Sequence, residues 1–174
     1  MCDGLIEKFV DQEDVGQSVK IVKYLSFILN NEFFAVELDF VSTIVGAMKI
    51  IPVYSKTNFI DGAINIAGAT IPVVNIHNVI KLKRINNDIL CNIIVLNINI
   101  QNTSYKIGIH VDYIGDVFEF EFMENDSRLV EDISNPIMIK ILHFNEKQNF
   151  KLIDIEKIIE IIDIDKIIYN NPLF

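Results

Sequence analysis

Cysteine and clustered basic charge are scarce in this chain of 174 residues. The two cysteines, Cys2 and Cys91, lie far apart, and one is at the very terminus, so we expect no disulfide framework. Lysine and arginine number 15 against 24 aspartates and glutamates, which gives a net charge of −9. An acidic chain without a basic run is poorly suited to bind nucleic acid or anionic lipid. We therefore expect no nucleic-acid partner.

Long apolar runs are also lacking. Asn, Lys or Asp interrupts each apolar stretch well short of the length that spans a bilayer, so we predict no transmembrane helix and no direct membrane insertion. Met1-Cys2-Asp3 adjoins no apolar stretch and predicts neither a signal peptide nor a lipoprotein site. The sequence predicts a soluble, cytoplasmic protein.

The usual motifs of catalytic and cofactor sites are missing from the sequence. Gly62 and Gly68 lack the Lys and Ser/Thr that a phosphate-binding loop requires. The carboxylates between Glu119 and Asp132 lack EF-hand spacing, so a solvated acidic loop explains them better than a metal site. We predict a protein that is not an enzyme and needs no cofactor or metal.

Histidine offers one alternative to this view. The three histidines, His77, His110 and His143, have no metal-ligand spacing and no Cys-x-x-Cys beside them. His110 and Asp112 lie two residues apart on one predicted strand, so their side chains share a face and could orient an imidazole for proton transfer. The favoured interpretation is a histidine near a carboxylate at the surface or between lobes.

Hydrophobic residues make up 51% of the chain. Isoleucine is prominent among them, which favours β-structure because branched side chains pack well on a pleated surface. Alternating apolar residues predict about five short strands in the first half, enough for a small barrel, and a second set after a polar connection. The predicted strands lie at 22–29, 33–38, 41–45, 50–53, in both halves of a hairpin at 62–76, and at 93–98, 105–112, 137–144 and 150–153.

The hairpin at 62–76 is the organising element of the first half. Gly68-Ala69 offers the turn because it carries no large side chain. Pro72 cannot donate to a β-ladder, so its strand is expected to be an edge or bulged strand.

These patterns divide the chain into an acidic N-terminal segment, residues 1–20, and one domain over residues 21–169. Within the domain we expect a first lobe at about 21–82 and a second at about 90–153. Asp154 caps a predicted C-terminal helix over residues 154–169, whose isoleucines recur at three- and four-residue spacing.

The hairpin also carries a family resemblance. Residues 59–68 read F-I-D-G-A-I-N-I-A-G and residues 71–77 read I-P-V-V-N-I-H. They resemble the CheW-like signature F-I-x-G-x-x-N-L-R-G followed by x-x-P-V-x-D-L-R. Further segments are similar to the family in the same order: 24–38, 41–45, 107–117 and 152–159. The resemblance extends from about Tyr24 to Ile162.

The resemblance implies a fold and a function. The fold would be mainly β, with two small five-stranded SH3-like barrels packed together, a groove between them and a C-terminal helix. The function would be a non-enzymatic chemotaxis adaptor that joins the cytoplasmic tip of a chemoreceptor to the regulatory domain of a histidine kinase. Carried over residue by residue, the implied partner-binding positions are Val41, Thr43, Ile44, Gly62, Ala67, Gly108 and Val117.

The charged positions of the family motifs are neutral in this chain. Thr43 stands where the family carries Glu, Ala67 where it carries Arg, Asn75 where it carries Asp, and His77 where it carries Arg. The residues that shape the backbone persist, so we expect the fold to be kept while the partner contacts are altered. Two alternatives stay open: a paralogue of the same fold with other partners or competing in arrays, and a β-barrel that binds a small molecule in the cleft between lobes.

Overall fold

A computed structural model describes residues 19–53, 57–85, 90–100, 103–123, 126–131 and 139–163. One 3₁₀ turn, Leu38–Phe40, separates the second and third strands. The elements in chain order are β1 (Lys20–Leu29), β2 (Glu32–Glu37), β3 (Val41–Met48), β4 (Ile60–Ile66), β5 (Ala69–Val74), α1 (Ile76–Val79), β6 (Cys91–Ile100), β7 (Thr103–Val111), β8 (Tyr113–Phe122), β9 (Leu129–Glu131), β10 (Ile139–Asn145), β11 (Gln148–Ile153) and α2 (Ile155–Ile162).

The strands form two sheets. The larger has the order β8-β1-β2-β11-β10-β9, and the smaller has the order β3-β6-β7-β5-β4. Neighbouring strands are antiparallel except for β2 with β11 and β5 with β7, which are parallel. The prediction of a mainly β fold with two barrel-like lobes is confirmed. The larger sheet has six strands and not five, because the short β9 forms inside the stretch predicted to be an acidic loop.

The two sheets do not follow the two contiguous lobes, 21–82 and 90–153, expected from the sequence. The β1–β2 hairpin lies between β8 and β11, which come from the far end of the chain. The smaller sheet is built from the contiguous stretch between β3 and β7. Alternation of apolar residues predicts each strand and its faces but carries no signal for pairing between distant strands, and this explains the difference.

An isolated bridge closes the smaller sheet. Ile51 N donates to Ala63 O, and Ala63 N donates to Ile51 O, both at 2.8 Å. The strand predicted at 50–53 is reduced to this single bridge within the described residues. Because β3 and β4 are the two edges of the five-stranded sheet, the bridge joins the segment after β3 to β4 and completes a barrel.

Pro72 was predicted to lie in an edge or bulged strand, and the first alternative is wrong, because β5 lies between β4 and β7. The ladder of β5 with β4 does contain an irregularity, which lies in β4 between Ile60 and Gly62. The parallel ladder between β5 and β7 pairs only Val73 and Val74 of β5, so it begins one residue after the proline and does not need its missing N–H. The hairpin turn falls one residue earlier than predicted. Ala67 and Gly68 adopt φ angles of 50° and 86°.

The largest core lies between the two sheets. Alternate residues of each strand face it, as the period of two along a β-strand requires. Its fully buried members include Leu25, Phe27, Leu29, Phe34, Ile94, Leu96, Ile98, Ile107 and Ile109. The opposite faces fill the two barrels: an aromatic interior in the larger sheet, with Tyr24, Phe120 and Phe150, and an aliphatic one in the smaller, with Ile64, Val73 and Ile93.

Helix α2 covers one side of the core between the sheets. The Asp154 side chain accepts a hydrogen bond from Lys157 N at 3.1 Å, which caps the first turn as predicted. The isoleucines at 155, 158, 159 and 162 are all buried against that core. The helix ends at Asp163, whose φ of 50° is left-handed. The rest of the predicted helix, residues 164–169, lies outside the described residues.

Candidate functional site

Strand β3 is one edge of the five-stranded sheet and pairs with β6 only. None of its residues, Val41–Met48, is charged. Ser42, Thr43 and Ile44 are exposed, and 46% of the Ile44 surface is accessible. An edge strand offers backbone groups to a partner, and most proteins protect such an edge with charge or proline. This edge has neither, so it is suited to contact another protein.

Strand β8 is an edge of the six-stranded sheet and pairs with β1. Val117 is 51% exposed, and it pairs with Leu25, which faces the core between the sheets. Ile114 of β8 and Val41 of β3 both pack against that same core. The two edge strands therefore both border the core between the barrels, and each carries exposed aliphatic residues there.

The two glycines among the predicted contact positions are buried. A Cβ at Gly108 would come within 2.8 Å of Ile93 Cγ2, so this glycine leaves room for the Ile93 side chain. Gly62 lies at the bridge that closes the smaller barrel. Any effect of these two residues on a partner therefore passes through the shape of the barrel. Ala67, at the tip of the β4–β5 turn, is exposed.

The departures from the family motif fall into two groups. Thr43 and Ala67 are exposed, so they change what a partner meets. Asn75 and His77 have internal roles: the Asn75 side chain caps α1 by accepting from Asn78 N at 2.9 Å, and His77 is 1% exposed. The loss of charge at 75 and 77 is thus a change inside the fold.

A half-buried polar cluster, missed by the sequence reasoning, lies at one end of the smaller barrel. Asp61 accepts from Arg84 Nη1 at 3.1 Å and from Asn75 Nδ2 at 2.6 Å. His110 Nδ1 lies 3.6 Å from Asp61 Oδ2. Burial raises the pKa of Asp61, but its contacts with His110, Arg84 and Asn75 outweigh burial and hold that pKa below the ordinary value.

The carboxylate in contact with His110 is thus Asp61 and not the predicted Asp112. Asp112 lies just beyond the end of β7, and its Oδ2 accepts from Asn30 N at 2.7 Å. Sequence spacing could relate His110 only to a neighbour on its own strand. Asp61 is 49 positions away in the sequence, and the parallel pairing of β5 with β7 brings it close to His110. No local sequence pattern predicts such a pairing.

His77 gives the fold a dependence on pH. Its Nε2 is buried and has no hydrogen-bond partner, and burial is the main cause that lowers the pKa of His77 from 6.5. In the unfolded chain the imidazole takes up a proton as the pH falls through about 6.5, whereas the folded protein resists until its own lower pKa. Stability is therefore complete above pH 6.5 and is lost as the pH falls through the window below it.

We expect the His77→Leu variant to lose less stability than the wild type as the pH falls below 6.5. An apolar side chain of similar size leaves no orphan nitrogen, so the variant should be within about 1 kcal/mol of the wild type at pH 8. At pH 5.5 it should gain relative to the wild type, by at most about 1.4 kcal/mol for the one pH unit below 6.5. Urea unfolding of both proteins at the two pH values measures the difference. His143→Leu, at an exposed position, is the control. An equal gain in both variants would contradict the assignment to His77.

Within the described ranges, no three His, Cys, Asp or Glu side chains are grouped so that they could hold a metal ion. None of the helices in that part of the chain is long and apolar enough to cross a membrane.

Two packed β-barrels, whose edge strands β3 and β8 expose Ile44 and Val117, define a small double-barrel β-protein. The family model described as "CheW-like domain" matches residues 23–168, and the chain belongs to this family. The CheW family consists of chemotaxis scaffold and adaptor proteins, not enzymes, that interact with chemoreceptors and a histidine kinase. The resemblance found in the sequence is confirmed.

A solved structure supports the fold. The crystal structure of the scaffolding protein TtCheW from Thermoanaerobacter tengcongensis is similar with a TM-score of 0.61 and 18% identity, over 78% of this chain and 90% of that chain. No curated protein matches the chain.

Proposed function

We propose that this protein is a non-enzymatic chemotaxis adaptor that couples chemoreceptors to a histidine kinase in signalling arrays, through contacts that differ from those of its relatives. Membership of the CheW-like family supports the general role. The observation that carries the proposal is the pair of edge strands, β3 and β8, which border the core between the barrels and expose Ile44 and Val117.

The chemistry of these strands favours protein partners. Aliphatic side chains on an edge strand can enter an apolar groove of a partner while the free backbone edge pairs with it. Two edges on two different barrels can serve two partners, as an adaptor requires. We assign the edge at β3, with Val41, Thr43 and Ile44, and the edge at β8, with Val117, to the regulatory domain of the kinase and the cytoplasmic tip of the receptor.

The altered contacts are proposed to lie at Thr43 and Ala67. Both positions are exposed, and both are neutral where the family motif has a Glu and an Arg. A partner surface whose charges complement that Glu and Arg would meet no opposite charge at positions 43 and 67. This favours a partner that has diverged together with this protein. This observation also supports the second candidate function, a paralogue that keeps the fold but binds other partners or competes within arrays.

The test is calorimetric titration of the whole protein with the regulatory domain of the kinase and, separately, with a fragment of the receptor tip. We expect binding to both, and Ile44→Asp and Val117→Asp should each weaken binding to at least one of them about tenfold or more, because a charge would be buried in an apolar contact. Val130→Asp is the control for a new charge at an exposed valine, since Val130 is 45% exposed on β9.

Three results would count against the coupling function: no binding to either fragment, an equal loss with the control, or binding that neither edge variant affects. Ala67→Arg adds a sharper test of the altered contacts. Position 43 carries no Glu to accompany the new arginine, so this single change should leave the affinity unchanged. A clear gain in affinity would mean that this protein still fits the partners of its relatives, and that the contacts on the two sides have not diverged together.

A further inference from the structure

Strand β8 contains a bulge where it pairs with β1. The register of the two strands shifts between Leu25 and Phe27, whose partners on β8, Val117 and Ile114, lie three residues apart instead of two. Two residues of β8 therefore stand opposite a single residue of β1, which is the arrangement of a β-bulge. Because side chains alternate along a regular strand, residues three apart would ordinarily point to opposite faces. The bulge thus decides which way Ile114 points.

The bulge places Ile114 and Val117 on the same face of the larger sheet. Their partners on β1, Phe27 and Leu25, are both buried in the core between the sheets, and directly paired residues share a face. Ile114 packs against this core, and Val117 continues the same face at the surface, where it is 51% exposed. If the register did not shift, Ile114 would turn to the face that lines the larger barrel. The aliphatic face of β8 therefore depends on the bulge.

Ser26 and Gly115 hold the bulge in two different ways. The Ser26 hydroxyl donates to Asp116 O at 2.8 Å, so it ties β1 to one of the bulged residues. Gly115 leaves room for this hydroxyl, because a Cβ at position 115 would lie 2.4 Å from Ser26 Oγ. Ser26 is only 8% exposed, so its hydrogen bond is largely shielded from water. Loss of the hydroxyl, or a side chain at position 115, should therefore disturb the bulge.

We propose that Ser26 and Gly115 are positioning residues for the partner site at the β8 edge, because they hold the bulge that keeps Ile114 and Val117 on one face. This inference rests on the proposed function, in which a partner binds at β8 through Val117. Bulges commonly redirect a side chain next to a functional site. A side chain that is already held in its binding orientation loses less entropy when a partner immobilises it. Without the bulge, Val117 would lose the support of Ile114 on its own face.

Calorimetric titration of the whole protein with the regulatory domain of the kinase and with the receptor tip tests this inference. The fragment that binds at β8 is the one whose affinity is reduced by Val117→Asp. Ser26→Ala should weaken binding of that fragment about fivefold, as the loss of one hydrogen bond predicts, and should leave the other fragment unaffected. Ser104→Ala is the control, because the Ser104 hydroxyl donates to Asn97 Oδ1 at 2.8 Å in the β6–β7 hairpin. It should bind both fragments as the wild type does.

Gly115→Ala supplies a second variant that acts by a different route. Its methyl group would displace the Ser26 hydroxyl, so it should weaken binding of the β8 fragment about tenfold or more. In a Ser26→Ala background the same change should cost less, because the oxygen that it meets is gone. Unaffected binding of the other fragment shows that each variant is folded. Ser26→Ala decides the question if Gly115→Ala does not fold.

The possible results separate this inference from the proposed function. If the wild type binds both fragments and Ser26→Ala binds them equally well, the inference is overturned and the proposed function stands. Equal losses for both fragments would also overturn it, since Ser26 would then act through general stability. If the wild type binds neither fragment, or if Val117→Asp changes neither affinity, the inference falls together with the function proposed for β8.

Discussion

Gly62→Ala should lower the free energy of unfolding by about 3 kcal/mol or more, because the added methyl group enters the bridge that closes the smaller barrel. A Cβ at this position would lie 2.3 Å from Ile51 O and 2.6 Å from Ile50 Cγ2. The first of these is a backbone atom that itself accepts a hydrogen bond from Ala63 N. Relief of the clash requires the bridge to open. The φ angle of 153° adds backbone strain for any residue other than glycine.

Gly68→Ala separates the clash from the strain. Gly68 also has a positive φ, 86°, but a Cβ there would meet no atom within 4 Å. Gly68→Ala should therefore lower the free energy of unfolding by about 1 kcal/mol, the cost of the backbone conformation alone. Urea unfolding of the two variants beside the wild type gives the comparison. Similar losses of unfolding free energy in both variants would mean that the bridge between Ile51 and Ala63 contributes little to the closure of the smaller barrel.

Phe27→Ala should cost about 4 kcal/mol, as expected for a large aromatic removed from a well-packed core. Phe27 is fully buried in the core between the sheets, and its ring stacks on Phe34 with centroids 5.8 Å apart. This core joins the two barrels, so the cavity would weaken both of them together. The transition in urea should remain a single one, shifted to lower denaturant.

Phe33→Ala is the matched control for Phe27. Both phenylalanines belong to the β1–β2 hairpin, but Phe33 faces the other way, is 43% exposed and meets Phe150 edge to face at 6.0 Å. Its truncation should cost only about 1 kcal/mol. A loss as large as that of Phe27→Ala would place the main stabilising core inside the larger barrel and not between the barrels.

The local pattern of the sequence was enough to predict most of the fold. Alternating isoleucines and valines placed most strands within a few residues, and Asp154 with its isoleucine spacing placed the start of α2. The ten-residue strand β8 was not predicted, although Phe118, Phe120 and Phe122 alternate with Glu119 and Glu121. Helix α1 was missed because four residues carry no helical period, and β9 was missed because three residues cannot show alternation. The strand order was beyond local reasoning, because it depends on pairs such as Lys151 with Phe34.

The candidate site was predictable to a smaller extent. The family motif pointed to β3 and β8, whose positions at the two sheet edges follow only from the topology. The motif could not distinguish the departures that face outward, Thr43 and Ala67, from those that serve the interior. The cluster of Asp61, Arg84 and His110 left no trace in sequence spacing, because the fold brings its members together from a bulged strand, a connecting segment and a strand interior.

The interleaving of the sheets has a consequence for synthesis on the ribosome. The five-stranded sheet consists of strands made one after another from Val41 to Val111. The hairpin that leaves the ribosome first finds its neighbours β8 and β11 only after that sheet has been translated. A nascent chain that stops at residue 111 therefore holds every strand of one barrel, while its opening hairpin still has two vacant sides.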